Sequence, residues 1–123
     1  MNPVSAALVI QNCPAGRFEE NLSATREAIH QAAENGARII VFPEMNLTGY
    51  AARPEIKEMA RPASEELLRT LSDEAQKNDA ALLIGMAERT DKSAVCASHL
   101  VFTPDGYQGV YRKIHTAPFD QAH

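Results

Sequence analysis

The chain has two cysteines in 123 residues, Cys13 and Cys96, and they share neither CxxC nor metal-ligand spacing. That excludes a disulfide framework and leaves no readable zinc site, so neither a metal nor another cofactor is expected. Basic excess is missing too: 12 Lys and Arg stand against 16 Asp and Glu, a formal charge of -4. A nucleic-acid partner needs a basic face to meet phosphates, and the scattered Lys and Arg here form none. No apolar run approaches the ~20 residues of a membrane-spanning helix, which leaves no membrane partner. The apolar run from Val4 to Ile10 is short and follows no Lys or Arg, so it reads as a first strand and not as a leader. Repeats and low-complexity segments are also absent. These exclusions describe one soluble domain at most, expected in the cytoplasm, with enough apolar content for a core.

The order of elements reads β-α-β-α-β followed by a hairpin. After the strand Ala6 to Ile10, the residues Phe18, Leu22, Ala28, Ile29, Ala32 and Ala33 recur near helical period, and Gly36 supplies a stop. A second helix starts near Ser64, where Glu65 and Glu66 favour the first turn. It carries Leu67, Leu68, Leu71 and Ala75 on one face and ends at Lys77-Asn78-Asp79. Ala80 to Met86 is an unbroken apolar run, the mark of a strand buried on both faces. Thr103-Pro104-Asp105-Gly106 is a turn between Ala94–Phe102 and Tyr107–Arg112, which gives an antiparallel hairpin.

Counting layers exposes a shortfall. Three strands read as buried on both faces, yet only two substantial helices are present to cover them. Right-handed crossovers place both helices on one face of a mixed sheet and leave the other face open. Such a face is expected to self-associate or bind a partner.

Two short motifs carry the chemistry. Ile39-Ile40-Val41-Phe42 is too apolar for an exposed strand, and Pro43 cannot donate to a sheet ladder, so the strand ends there with Glu44 at its carboxyl edge. Ligands of open α/β sheets bind outside those carboxyl ends. Tyr111-Arg112-Lys113-Ile114-His115 follows the hairpin and presents an ammonium. Singly, Glu44 and Lys113 also read as solvated surface charges.

Together the motifs point further. Phe42-Pro43-Glu44-Met45-Asn46-Leu47-Thr48-Gly49-Tyr50 resembles the first signature of the nitrilase, or carbon-nitrogen hydrolase, superfamily, and Arg112-Lys113-Ile114-His115 resembles the second. The opening strand, with Phe18 and Asn21 leading a helix into Gly36-Ala37-Arg38, fits the same pattern. One departure is Thr116, where the family usually has an apolar residue.

The resemblance implies an α-β-β-α sandwich whose second sheet comes largely from the C-terminal half. Residues 1–123 are then the N-terminal part of such a domain. It implies hydrolysis of an amide or nitrile bond of a small molecule through a Cys thioester. Glu44 matches the general base and Lys113 the oxyanion-stabilising lysine. The nucleophilic Cys lies beyond His123, so the chain alone is expected to be inactive. Neither Cys13 nor Cys96 matches that position, and Cys96 reads as core. Tyr50 either lines a substrate pocket or packs in its turn, and His115 is expected to hold the Lys113 loop. A complementary C-terminal half or further copies of the chain are the expected partners. The competing reading is an inert module that oligomerises, or binds a partner, through its open sheet face.

Overall fold

The computed structural model describes residues 4–49, 53–90 and 94–113. Its elements run β1 (Ala6–Leu8), α1 (Phe18–Glu34), β2 (Ile39–Val41), α2 (Arg53–Met59), α3 (Glu65–Asn78), β3 (Ala81–Arg89), β4 (Val95–Thr103) and β5 (Gly106–Lys113). The strands form one sheet in the order β1-β2-β3-β4-β5. β1, β2 and β3 are parallel, whereas β4 and β5 add on antiparallel. The carboxyl ends of β1, β2, β3 and β5 therefore share one end of the sheet.

Local chemistry sets the helix limits. The Ser64 side chain accepts the Leu67 N–H at the start of α3, and Asp79 closes the helix in the left-handed conformation, φ 50. Gly36, at φ 93, turns the chain out of α1 into β2. The hairpin turns at Pro104-Asp105, as expected, with a register shift at Val101/Phe102. Lys113 is the last residue of β5, not the first beyond it.

The two long helices cover one face. Ile29 of α1 and Leu67, Leu71 and Ala75 of α3 pack on Ile40, Leu82, Ile84, Met86, Leu100 and Phe102, all buried. Glu74 ties the helices to each other: it is 1% exposed, accepts Arg26 Nε at 2.8 Å and lies 3.3 Å from His30 Nε2. A buried carboxylate needs such partners to offset its lost hydration.

Strand alternation sends Leu8, Ile39, Val41, Leu83, Val101 and Tyr111 to the other face. There Leu8 is 70% and Tyr111 69% exposed. The second face of β1 and β2 is thus open, as the count of helices against strands led us to expect, because among the described residues nothing lies over it. At the carboxyl end that face is covered by α2, a helix the periodicity did not reveal. Ile56 and Ala60 pack there with Met45 and Ala87, against Val95 and Ala97.

Candidate functional site

Glu44 is exposed in the loop that follows β2. The loop is short and its backbone is unusually constrained. Met45 sits in the left-handed region at φ 59, which costs a non-glycine residue about 1–2 kcal/mol, and its side chain is buried in the α2 cluster. Asn46, Leu47 and Thr48 are buried as well. The Asn46 amide donates to Thr25 Oγ1 at 2.9 Å, and the Thr25 hydroxyl donates in turn to the Asn21 carbonyl at 2.7 Å. Asn21 Nδ2 donates to the carbonyls of Pro14 and Leu47. Gly49, at φ 84, lies so close to the loop after β1 that a Cβ would come within 2.6 Å of Ala15 Cα. Buried polar side chains thus bind the Glu44 loop to α1 and to its neighbouring loop.

Lys113 reaches the same end of the sheet from the hairpin. It pairs in register with Ala97, which pairs with Ala87. Ala87 and Met45, the residue after Glu44, are members of one packed cluster, and Ala97 packs against it. Glu44 and Lys113 therefore flank a common patch at the carboxyl end of the sheet. Two strand spacings separate β3 from β5, about 10 Å.

Arg112 points to the opposite face from Lys113, and there it is held firmly. Its guanidinium makes a two-pronged contact with Glu88, Nε to Oε1 at 2.8 Å and Nη2 to Oε2 at 3.0 Å, and Ser98 Oγ donates to the same carboxylate at 2.7 Å. Glu88 is buried, which by itself raises its pKa. The hydrogen bonds from Arg112 and Ser98, with the attraction of the Arg112 charge, outweigh burial and leave the carboxyl below its ordinary value. The Glu88 carboxylate in turn raises Arg112. This pair spans β3 to β5 and anchors the strand end that bears Lys113.

Cys13 lies at the same end of the sheet, in the loop after β1. Burial pushes its thiol up, away from the thiolate form that attacks. Cys96 is half-buried on β4, so it is less enclosed than a core residue. His99 places Nε2 3.4 Å from the Phe42 carbonyl. No group of three or more His, Cys, Asp and Glu suited to a metal ion occurs among the described residues. Tyr50, His115 and Thr116 lie outside the described residues.

Sequence reasoning thus found both charged residues at the sheet end. It missed Glu88, although Glu88 continues the alternation of Leu82, Ile84 and Met86 and is directed inward by it. It also gave Asn46 and Thr48 no role, because nothing in a sequence marks a side chain that will replace a backbone partner.

Comparison with known proteins adds an independent line. The carbon-nitrogen hydrolase family profile matches residues 5–122. A nitrilase of Pyrococcus abyssi is 34% identical over 115 residues, covering 91% of this chain and 44% of the relative. An (R)-stereoselective amidase of Pseudomonas sp. is 31% identical over 102 residues, covering 83% and 36%. Among solved structures, an amidase from Nesterenkonia sp. superposes with a TM-score of 0.76 at 18% identity, covering 97% of this chain and 46% of that one. The NitFhit protein of C. elegans gives 0.70 at 18% identity, covering 92% and 28%. The chain spans less than half the length of each of these proteins.

Proposed function

Because the chain belongs to the carbon-nitrogen hydrolase family, we propose that it forms the N-terminal part of an amidase-type hydrolase, in which Glu44 is the general base and Lys113 the oxyanion stabiliser. The observation that carries this reading is the convergence of the two charged residues on one sheet end, through the cluster that joins Met45, Ala87 and Ala97. The nucleophilic Cys and the second sheet come from chain outside residues 1–123. Substrates are small amides or nitriles. That choice is supported by the named activities of the relatives and by the structures of a Nesterenkonia amidase mutant with acrylamide and another with butyramide.

In an amide, the cysteine thiol gives its proton to Glu44 as sulfur bonds to the carbonyl carbon. The carbonyl oxygen becomes an oxyanion beside the Lys113 ammonium. Collapse breaks the C–N bond, and the proton held by Glu44 goes to the leaving amine, which departs and leaves a thioester. Water then gives a proton to Glu44 as it attacks that thioester, and the returned proton restores the thiol as the acid leaves. A preorganised positive charge at the oxyanion is worth on the order of 3–4 kcal/mol of barrier.

A chimera in which residues 1–123 replace the matching segment of the Pyrococcus abyssi nitrilase tests this. Hydrolysis of amides or nitriles that disappears in Glu44→Gln, with the thermal melt unchanged, is the expected result. A folded Glu44→Gln chimera with near-normal turnover would sink the base assignment.

The second reading, an inert module that associates through its sheet, is favoured by the exposure of Leu8 and Tyr111 on the uncovered face. Under it the chimera folds but turns over nothing, whereas the chain alone self-associates.

A further inference from the structure

β2 ends at Val41, but β3 runs on to Arg89, and along its β2-facing edge the residues Gly85 to Glu88 are buried. Every backbone group on that buried edge needs a partner. The Phe42 N–H reaches the Leu83 carbonyl at 2.9 Å, the last bond a β2-like backbone makes. Beyond it the partners are drawn from the Glu44 loop. Asn46 Oδ1 accepts the Gly85 N–H at 2.8 Å, the Leu47 N–H reaches the Gly85 carbonyl at 3.0 Å, and Thr48 Oγ1 accepts the Ala87 N–H at 2.9 Å. Arg61 then resumes the ladder, donating to the Ala87 carbonyl at 3.1 Å and accepting the Arg89 N–H at 2.8 Å. Two side-chain oxygens thus stand in for a missing strand.

Gly85 sets how low the loop lies on the sheet. A Cβ at that position would come within 2.6 Å of Met45 N and of the Pro43 carbonyl oxygen, and 3.1 Å from Glu44 C. These are backbone atoms on both sides of the Glu44 side chain, so they have no flexible end with which to yield. The left-handed Met45 fits the same picture, since the chain must reverse at once to bring Asn46 back over β3.

We propose that Gly85, Asn46 and Thr48 are positioning residues for Glu44: they replace a strand with a clamp that fixes the carboxylate at a set height over the end of β3. This rests on the reading of Glu44 as the base. Thr48→Val keeps the shape but removes the acceptor, Thr48→Ser keeps the acceptor, and Gly85→Ala lifts the loop. In the chimera, Thr48→Val and Gly85→Ala lower kcat on the order of 10- to 100-fold, the cost of a misplaced catalytic group, with KM within about twofold. Thr48→Ser restores turnover to within about threefold of the parent. Thr48→Val and Thr48→Ser are mild enough to decide the matter should Gly85→Ala fail to fold. Glu44→Gln, run alongside, separates the two levels. An active Glu44→Gln overturns both the function and the clamp. An inactive Glu44→Gln beside a Thr48→Val of undiminished kcat, or a Thr48→Ser as slow as Thr48→Val, overturns the clamp alone.

Discussion

On the face that meets α1 and α3, the sheet buries Ile40, Leu82, Ile84, Leu100 and Phe102 completely, whereas on the other it leaves Leu8 and Tyr111 mostly in contact with solvent. The difference has a gradient. On the open face, Ala87 on β3 is sealed by α2 and Met45, and cover falls away outwards to Leu8 on β1 and Tyr111 on β5. Cover on this face is thus local to β3 beside the Glu44 loop, and the outer strands β1 and β5 keep apolar side chains open to solvent on either side of it.

The sharpest way to break that contrast is to truncate matched side chains on the two faces. Leu71→Ala, on α3, leaves a hole in the packed layer and is expected to cost about 2–5 kcal/mol, whereas Leu8→Ala in the same 123-residue chain stays within about 0.5 kcal/mol. Urea denaturation measures both, and equal losses would erase the distinction between the faces. In the chimera, Leu8→Ala becomes costly if a second sheet closes over it.

Arg112→Met tests whether the β5 end is held by its ion pair. Glu88 would be left buried without its cation, a loss of about 3 kcal/mol, towards the lower end for such pairs because Arg112 is 44% exposed. A Met variant as stable as the parent would show that the pair adds nothing.

A smaller effect follows from acid. The folded Glu88 carboxyl lies below its unfolded value, so its contribution is present above the unfolded pKa, about 4.3, and is lost as pH falls through the folded value. Acid unfolding of Glu88→Gln is therefore shallower below about pH 4.3 than that of the parent. Parallel curves would remove Glu88 from the account of acid stability.

The smallest change in stability is expected from Leu8→Lys with Tyr111→Lys, within about 0.5 kcal/mol. Their effect should appear in sedimentation, where the charged face holds the chain to smaller species. Unchanged association would place the contact elsewhere.

What the sequence made legible follows from how local each signal is. A helix start near Ser64, Gly36 as a stop and Thr103-Pro104-Asp105-Gly106 as a turn depend on their own stretch of backbone, and each took its expected place. Pro43 and the apolar run before it placed Glu44 at the strand end for the same reason. The open face also followed from counting helices against strands. By contrast, α2 escaped notice because seven residues carry too little periodicity, and its apolar residues matter only against Met45 and Ala87. Glu88 with Arg112, and Asn46 with Gly85, are partnerships across 24 and 39 residues, which no local pattern encodes.

The most direct test of the central claim is the rate of amide turnover by the chimera carrying Glu44→Gln, Lys113→Met and both together. Residues that serve one reacting centre fail as a unit, so each single variant should lose at least about 100-fold in kcat and the pair little more than the worse single. A Lys113→Met chimera that melts like the parent and turns over at the parental rate would contradict the account, because the ammonium that β5 delivers to the sheet end would then have no part in the chemistry.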